Sequence, residues 1–435
     1  MAFVSYPGFA VPEGVRHAPL ARRTVRPHPD VLAFVGYSSS IFSAIRTPHG
    51  YYLVDAGDDV PGVRDALAEI RRFAPGTLQG IFLTHSHPDH RGGGSIFLEE
   101  ARGREIPVWA HHAFGSEMQD GRGLERILQT RAGRQFGAGI PDAEYTSNSL
   151  LPHFPGGFAG PLLQPNRQIF EGRTRLYADD LAVDLLTVPT ETGDHMEVFL
   201  PESRVLFSGD AVYGALPNLY PLRGGCWRQA ERWTQGIRRL LELDPEAAVC
   251  GHNLVLQGRQ AVRQAFERCA NAIECIVAET LKGMDEGLGP DELACRVRLP
   301  EELARDPNLG EFYGAVPWIV REIYAAKMGW FDGNATNVVH LAPWEEAERL
   351  ARLAGGAAAL AAQAQSALAE GDWRWTCRLC DWLLRLGPEH AATARGMKAE
   401  ALEALSQEIL PMAGRNWLKS SAMALREEGQ EDAGQ

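Results

Sequence analysis

Residues Thr84–Gly93, THSHPDHRGG, place three imidazoles and a carboxylate within six positions, directly behind the apolar run Leu78–Thr84. A short apolar run bounded by turn residues reads as a buried strand. The four side chains of His85, His87, Asp89 and His90 therefore leave a strand end in a turn and can point into one cavity. Neutral imidazole and carboxylate together suit zinc or another borderline divalent ion. A solvated surface loop has no need of four such groups at this spacing. A chain built around this feature has to deliver the end of a strand to a metal pocket.

The flanking sequence supplies the rest of an α/β domain. Val31–Gly36, Ser43–Thr47 and Tyr51–Asp55 read as short strands punctuated by Pro48, Gly50 and Gly57, and Val60–Phe73 has helical periodicity. Strand signals recur at Glu105–Ala110, Leu181–Val188, Glu197–Leu200, Arg204–Ser208 and Ala248–Gly251, with a helix over Arg228–Leu243. Residues 1–30 read as an irregular arm. Residues 113–175, rich in Gly, Pro, Arg and Asn, read as a long excursion over a pocket. A helical pattern covers Gln257 to Gly287, and from Pro343 the chain is helical in segments broken by Gly or Pro. These segments resemble stacked helix pairs without a regular repeat. The expected division is a catalytic domain over 1–285, a helical module over 286–425 and a frayed tail over 426–435.

Composition narrows the function classes. Lys and Arg number 43 against 56 Asp and Glu, a net charge of −13, which argues against a nucleic-acid partner. No window approaches the roughly 18 consecutive apolar residues of a membrane span. The N-terminus lacks the basic and apolar regions of a secretory signal, and seven cysteines without a regular framework suit a reducing compartment, so a cytoplasmic enzyme is expected. The lone C-x-x-C pair, Cys377 and Cys380, has no further ligands nearby and reads as helix packing.

THSHPDH resembles the H-x-H-x-D-H signature of the metallo-β-lactamase superfamily. LVDAG at Leu53–Gly57, Gly209–Asp210 and Cys250–Gly251–His252 resemble its further signature pieces. The resemblance implies an αββα sandwich with two metals at one edge. Pro189–His195, PTETGDH, puts Glu191 where the superfamily usually has a histidine, which is similar to the alkylsulfatase branch. NLYPLRG at Asn218–Gly224, EFYG at Glu311–Gly314, GWFDGN at Gly329–Asn334 and the helices of 355–425 resemble that branch as well, the later pieces its dimerisation domain. RQFGAGI at Arg134–Ile140 stands where the branch has a tyrosine-containing stretch that helps hold sulfate, with Phe136 in the tyrosine's place. The branch's C-terminal sterol-carrier-like domain is not expected in this chain.

The resemblance implies roles residue by residue. His85, His87 and Glu191 would hold one divalent ion, Asp89, His90 and His252 the second, and Asp210 would bridge them. Asp89 and Asp210 would thereby serve catalysis. Zinc is the first expectation, with manganese or iron as alternatives. Arg223 and Arg228, joined by Asn218 and Tyr313, would bind the substrate. The implied activity is a dinuclear-metal hydrolase whose metal-bound hydroxide cleaves a small anionic organic ester, a sulfate ester first. The alternatives are hydrolysis of a thioester, lactone, lactam or phosphodiester on the same fold, or a dimetal redox or oxygen-handling protein. A homodimer through the helical module is implied too.

Overall fold

The computed structural model describes residues 21–101, 103–116, 121–141, 144–145, 161–178, 181–225 and 228–434. A seven-stranded sheet runs in chain order through β1 (Arg23–His28), β2 (Val31–Val35), β3 (Phe42–Thr47), β4 (Gly50–Val54), β5 (Thr77–Phe82), β6 (Val108–His111) and β7 (Arg167–Ile169). A six-stranded sheet contains β8 (Gly172–Ala178), β9 (Leu181–Thr187), β10 (Glu197–Leu200), β11 (Val205–Gly209), β12 (Ala247–Cys250) and β13 (Val255–Gln257), with β13 and β8 at its edges. Neighbours are antiparallel except along β4–β7 and between β11 and β12.

Alternation within the strands makes the layers. In β2, Val31, Ala33 and Val35 point between the sheets, where they meet Val183, Val198 and Phe207. Leu32 and Phe34 point the other way, onto a helical layer. That layer holds α1 (Val60–Phe73) and α2 (Gly94–Glu99). Helix α1 begins at Asp59, whose side chain accepts the Gly62 N–H, and it buries Val63, Ala66, Leu67 and Ile70 on one stripe. Each such side chain contributes about 1.5–3 kcal/mol by leaving water.

The stretch expected to be a structureless excursion contains α3 (Glu125–Phe136), β7 and the start of β8. Helix α3 is mostly exposed and polar, and β8 is an edge strand of alternating Arg and Thr, so neither carries an apolar period to read. Residues 146–160 of that stretch lie outside the described residues. Of the expected irregular arm, residues 1–20 lie outside the described residues, and the remainder is corrected, since β1 pairs with β2 as an exposed edge strand. The second helical layer, α4 (Ala230–Glu242) and α5 (Arg259–Asp285), covers the six-stranded sheet.

The all-helical region follows with α6 (Pro290–Arg296), α7 (Glu301–Ala304), α8 (Val316–Met328), α9 (Pro343–Ala354), α10 (Ala357–Ala369), α11 (Trp373–Leu383), α12 (Pro388–Glu408) and α13 (Met412–Gly434). Helices α10 to α13 each pack on the next, and Cys377 and Cys380 sit in their apolar contacts. The tail expected to fray from 426 continues α13 to Gly434. One apolar cluster joins Leu206 and Cys250 of the sheet to Ile273, Leu293, Ile319 and Met412, so packing runs without a break across residue 286. No helix among the described residues is long and apolar enough to cross a membrane.

Candidate metal centre

Two parallel strand pairs end at one edge of the sandwich, and every expected ligand but Glu191 directly follows one of those ends. Asp55 follows β4, His85–His90 follow β5, Asp210 follows β11, and His252 follows β12. Backbone bonds tie this edge together: Gly251 N–H to Gly209 O at 2.6 Å, Ile41 N–H to Gly251 O at 2.6 Å, and Met196 N–H to Thr84 O at 2.7 Å. The last of these anchors the turn that carries Glu191 beside the histidine loop.

His85, His87, Glu191 and Asp210 bring one ligand atom each within 4.8 Å of the others, and Asp89, His90 and His252 form a second such group. In the first group, His87 Nδ1 lies 2.9 Å from His85 Nε2 and 3.4 Å from Glu191 Oε2. In the second, Asp89 Oδ2 lies 3.6 Å from His90 Nε2 and 3.5 Å from His252 Nε2. Asp210 spans both, with Oδ1 at 3.4 Å from His90 Nε2 and Oδ2 at 3.2 Å from His252 Nε2 and 3.9 Å from His85 Nε2.

Hydrogen bonds behind the cluster orient three imidazoles. His90 Nδ1 donates to Asp55 Oδ2 at 2.8 Å, and His252 Nδ1 donates to the Ser39 carbonyl at 2.8 Å. The Thr84 hydroxyl gives its proton to Asp55 Oδ2 at 2.9 Å, so its oxygen accepts from His85 Nδ1 at 3.0 Å. Each arrangement leaves an Nε2 lone pair facing the cluster. Asp55 is held at φ 60°, a conformation that costs a non-glycine residue about 1 kcal/mol or more, by these bonds and the Thr84 N–H at 2.8 Å.

The donor set fits cations. His90 Nε2, Glu191 Oε2 and Asp210 Oδ1 are buried and have no hydrogen-bond partner among the described residues. Orphaned buried polar atoms are costly, and three of them within the two ligand groups are what bound ions would satisfy. Burial opposes charge on Asp210, but His252 and His90 hold its carboxyl well below the usual range. Burial, then His90 and His87, keep His85 well below its ordinary value, so it is neutral and a competent ligand.

The expected substrate residues divide. Arg223 sits at the rim, with Nη2 3.3 Å from His87 Nε2. Asn218 is 1% exposed, and neither atom of its side-chain amide has a partner among the described residues. Tyr313, half-buried, stacks edge-on to Tyr213 at 6.4 Å between ring centroids. Arg228 is placed differently from its expected role as a second anion anchor. It is buried, donates to Glu191 Oε1, and donates to the Asn218 carbonyl at 2.9 Å. A guanidinium so engaged fixes which carboxylate oxygen of Glu191 faces the cluster.

His195 accepts the Asp210 N–H at 3.1 Å through Nε2 and donates from Nδ1 to Glu197 at 2.9 Å. The pair thus braces the backbone of Asp210 from behind, without contributing a ligand. The signal for Glu197 in the sequence is slight, a carboxylate opening the apolar strand EVFL. Gln135 and Asp194 also act near the site, Asp194 by accepting from the Thr192 hydroxyl at 2.6 Å and the Gly115 N–H at 2.8 Å. Both lie inside segments quoted from the sequence, RQFGAGI and PTETGDH, but neither residue stands out there as a site residue.

An α/β/β/α sandwich with this cluster at the ends of its strands defines a class of metallo-hydrolase folds, and comparison with known proteins narrows it. The model of the metallo-beta-lactamase superfamily matches residues 36–252, and that of alkyl sulfatase dimerisation matches residues 289–428. A linear primary-alkylsulfatase from a Pseudomonas strain is 32% identical over 394 residues, covering 88% of this chain and 73% of that protein. An (R)-specific secondary-alkylsulfatase from Pseudomonas sp. is 27% identical, covering 90% of this chain and 60% of that one. The solved structure of the stereoselective inverting sec-alkylsulfatase Pisa1 from Pseudomonas sp. superposes with a TM-score of 0.82 at 25% identity, over 93% of this chain and 66% of its own. The chain belongs to the metallo-beta-lactamase superfamily, among its metal-dependent hydrolases of the alkylsulfatase type.

Proposed function

We propose that this chain hydrolyses sulfate esters of small organic alcohols at a two-metal centre. His85, His87 and Glu191 would hold one cation, Asp89, His90 and His252 the other, with Asp210 between them. Zinc is the expected ion, because the set combines imidazole and carboxylate donors. Two divalent ions there would lower the pKa of a shared water and polarise the ester oxygen. The surrounding residues supply orientation. Arg223 presents a planar fork suited to a sulfate group, Asn218 offers an unsatisfied buried amide, and Tyr313 a hydroxyl. Arg228 holds Glu191 in place.

The observation that carries this reading is the trio of orphaned atoms, His90 Nε2, Glu191 Oε2 and Asp210 Oδ1, in two ligand groups that share Asp210. The names of the similar proteins support the choice of sulfate ester. The family models end at 252 and begin at 289, which supports a division near residue 286. The helical region's match to the dimerisation model, with Trp330 and Trp344 exposed there, supports a homodimer. The test is sulfate release by the zinc-loaded protein from a panel of primary, secondary and aryl sulfate esters, alongside elemental analysis. Turnover of a lactone, lactam or phosphodiester with no sulfate release would overturn the substrate assignment.

A further inference from the structure

We infer that Gln135 is a positioning residue that sets both the loop of Arg223 and the proton of Tyr313, an inference that rests on the anion-binding role proposed above. Gln135 lies at the end of α3 and is 0% exposed, although the helix around it is mostly open to solvent. Its side-chain amide makes two hydrogen bonds. One oxygen accepts the Arg223 backbone N–H at 2.8 Å, and the nitrogen lies 3.4 Å from the Tyr313 hydroxyl. A backbone N–H can only donate, so the atom facing it is the amide oxygen, and the amide nitrogen must face Tyr313. That nitrogen has no lone pair to offer. Gln135 therefore donates, the phenol oxygen accepts, and the Tyr313 proton is turned away from α3. Arg223, Glu191, Arg228 and Asp89 are the charged groups whose fields bear on the Tyr313 hydroxyl. A hydroxyl whose proton Gln135 leaves unused is a donor available to an anionic ester.

The brace is built along one helix face. Arg131, one turn before Gln135, donates to the Leu222 carbonyl at 2.7 Å, so α3 grips residues 222 and 223 in succession. From the other side, Asn416 of α13 donates to the Gln135 carbonyl at 3.2 Å. The last helix of the chain thus holds the end of α3, which in turn holds the anion-binding loop.

Two variants separate this role from a merely structural one. Gln135→Met keeps the length and removes both bonds. Gln135→Glu keeps an acceptor for the Arg223 N–H, but its carboxylate accepts the Tyr313 proton and so turns that proton toward α3. The probe is inorganic sulfate binding to the zinc-loaded protein by calorimetry, with sulfate-ester turnover beside it. Gln135→Met should weaken sulfate binding about ten-fold and raise KM more than it lowers kcat. Gln135→Glu should match Tyr313→Phe at high pH, recover as the carboxyl protonates at lower pH, and show little added loss when combined with Tyr313→Phe. Metal content should stay at the wild-type level in both variants. Wild-type binding of sulfate with unchanged binding and KM in both variants overturns the inference alone. A wild-type protein that neither binds sulfate nor releases it from esters overturns the anion-binding reading, and the inference falls with it.

Discussion

The backbone of Gly251 lies directly against the carboxylate of Asp210, where a Cβ on residue 251 would come 1.9 Å from Oδ1. The same Cβ would meet the Gly209 backbone at 2.9 Å, so there is no flexible neighbour to yield. Gly251→Ala should therefore displace Asp210, the one carboxylate placed between both ligand groups, while leaving every ligand side chain present. The expected result is a folded protein by circular dichroism that retains less than two equivalents of metal and little activity. Wild-type metal content in that variant would show that the edge can absorb the methyl group.

A carboxylate one step behind the ligand groups should matter almost as much. Asp55 orients His90 and, through Thr84, His85. Asp55→Ala removes both supports, and such supports typically contribute about 10- to 100-fold in metal affinity. Competition with a chelator should report a loss of that size. Because bound metal stabilises the fold by mass action, the variant's melting temperature should rise less than the wild type's on adding zinc.

The ligand loop was legible in the sequence because its chemistry is local. His85, His87, Asp89 and His90 fall in one turn, and the strands before Asp55, Asp210 and His252 carry clear apolar runs. What could not be read was long-range or lacked a hydrophobic period. Helix α3 presents mostly polar residues to solvent, so its one buried side chain, Gln135, leaves no pattern. Helices α6 and α7 are short, and with α8 they lie in a stretch of mixed composition. Arg228 looked like an anion anchor because a guanidinium near a glycine turn suits that task, and only folding brings Glu191 against it, 37 residues away in the chain. Glu197 is hidden for another reason: it lies only two residues from its partner His195, but in the sequence it merely opens the apolar strand EVFL, and the Asp210 N–H that the pair braces is brought to it by folding.

One pH-sensitive group belongs to neither ligand group. Burial pushes the carboxyl of Glu311 up from 4.5 to about 8, against the opposing pull of Arg298 and its bond from the Val316 N–H. Its pKa is higher folded than unfolded, so between those values the native state holds a proton that the unfolded state has lost. Its contribution to stability therefore falls as pH rises from about 4.5 toward 8 and levels off above that. Glu311→Gln keeps an acceptor for the helix and removes the titration. The decrease in melting temperature between about pH 6 and about pH 8.5 should be smaller in the variant. An unchanged decrease would place the titrating group elsewhere.

The helical region leaves large apolar side chains in water. Trp330 is 77% exposed, Val339 87% and Leu353 84%, and Met328, Leu341 and Trp344 are open as well. Apolar surface on this scale in one region marks an interaction face, and the region matches the alkyl sulfatase dimerisation model. Light scattering at micromolar concentration should report a dimer, and Trp330→Asp combined with Trp344→Asp should shift it toward monomer. A wild-type monomer would remove the self-association reading.

Arg223 offers the most direct test of the substrate's charge. Its guanidinium sits at the cluster rim beside His87, and its backbone is held by Gln135. Lysine at this position keeps the charge but loses the planar fork, so Arg223→Lys should impair the enzyme and Arg223→Ala should impair it more. A hydrogen bond to a charged group is worth about 1.5–3 kcal/mol, which corresponds to roughly ten- to a hundred-fold in kcat/KM. The loss should be largest for esters that offer only the sulfate to bind, because a larger organic group supplies contacts of its own that the substitution leaves intact. Metal content should not change, since Arg223 is no ligand. Unchanged kcat/KM in Arg223→Ala on a substrate the wild type turns over would assign the anion to another group, with Asn218 and Tyr313 the next residues to replace.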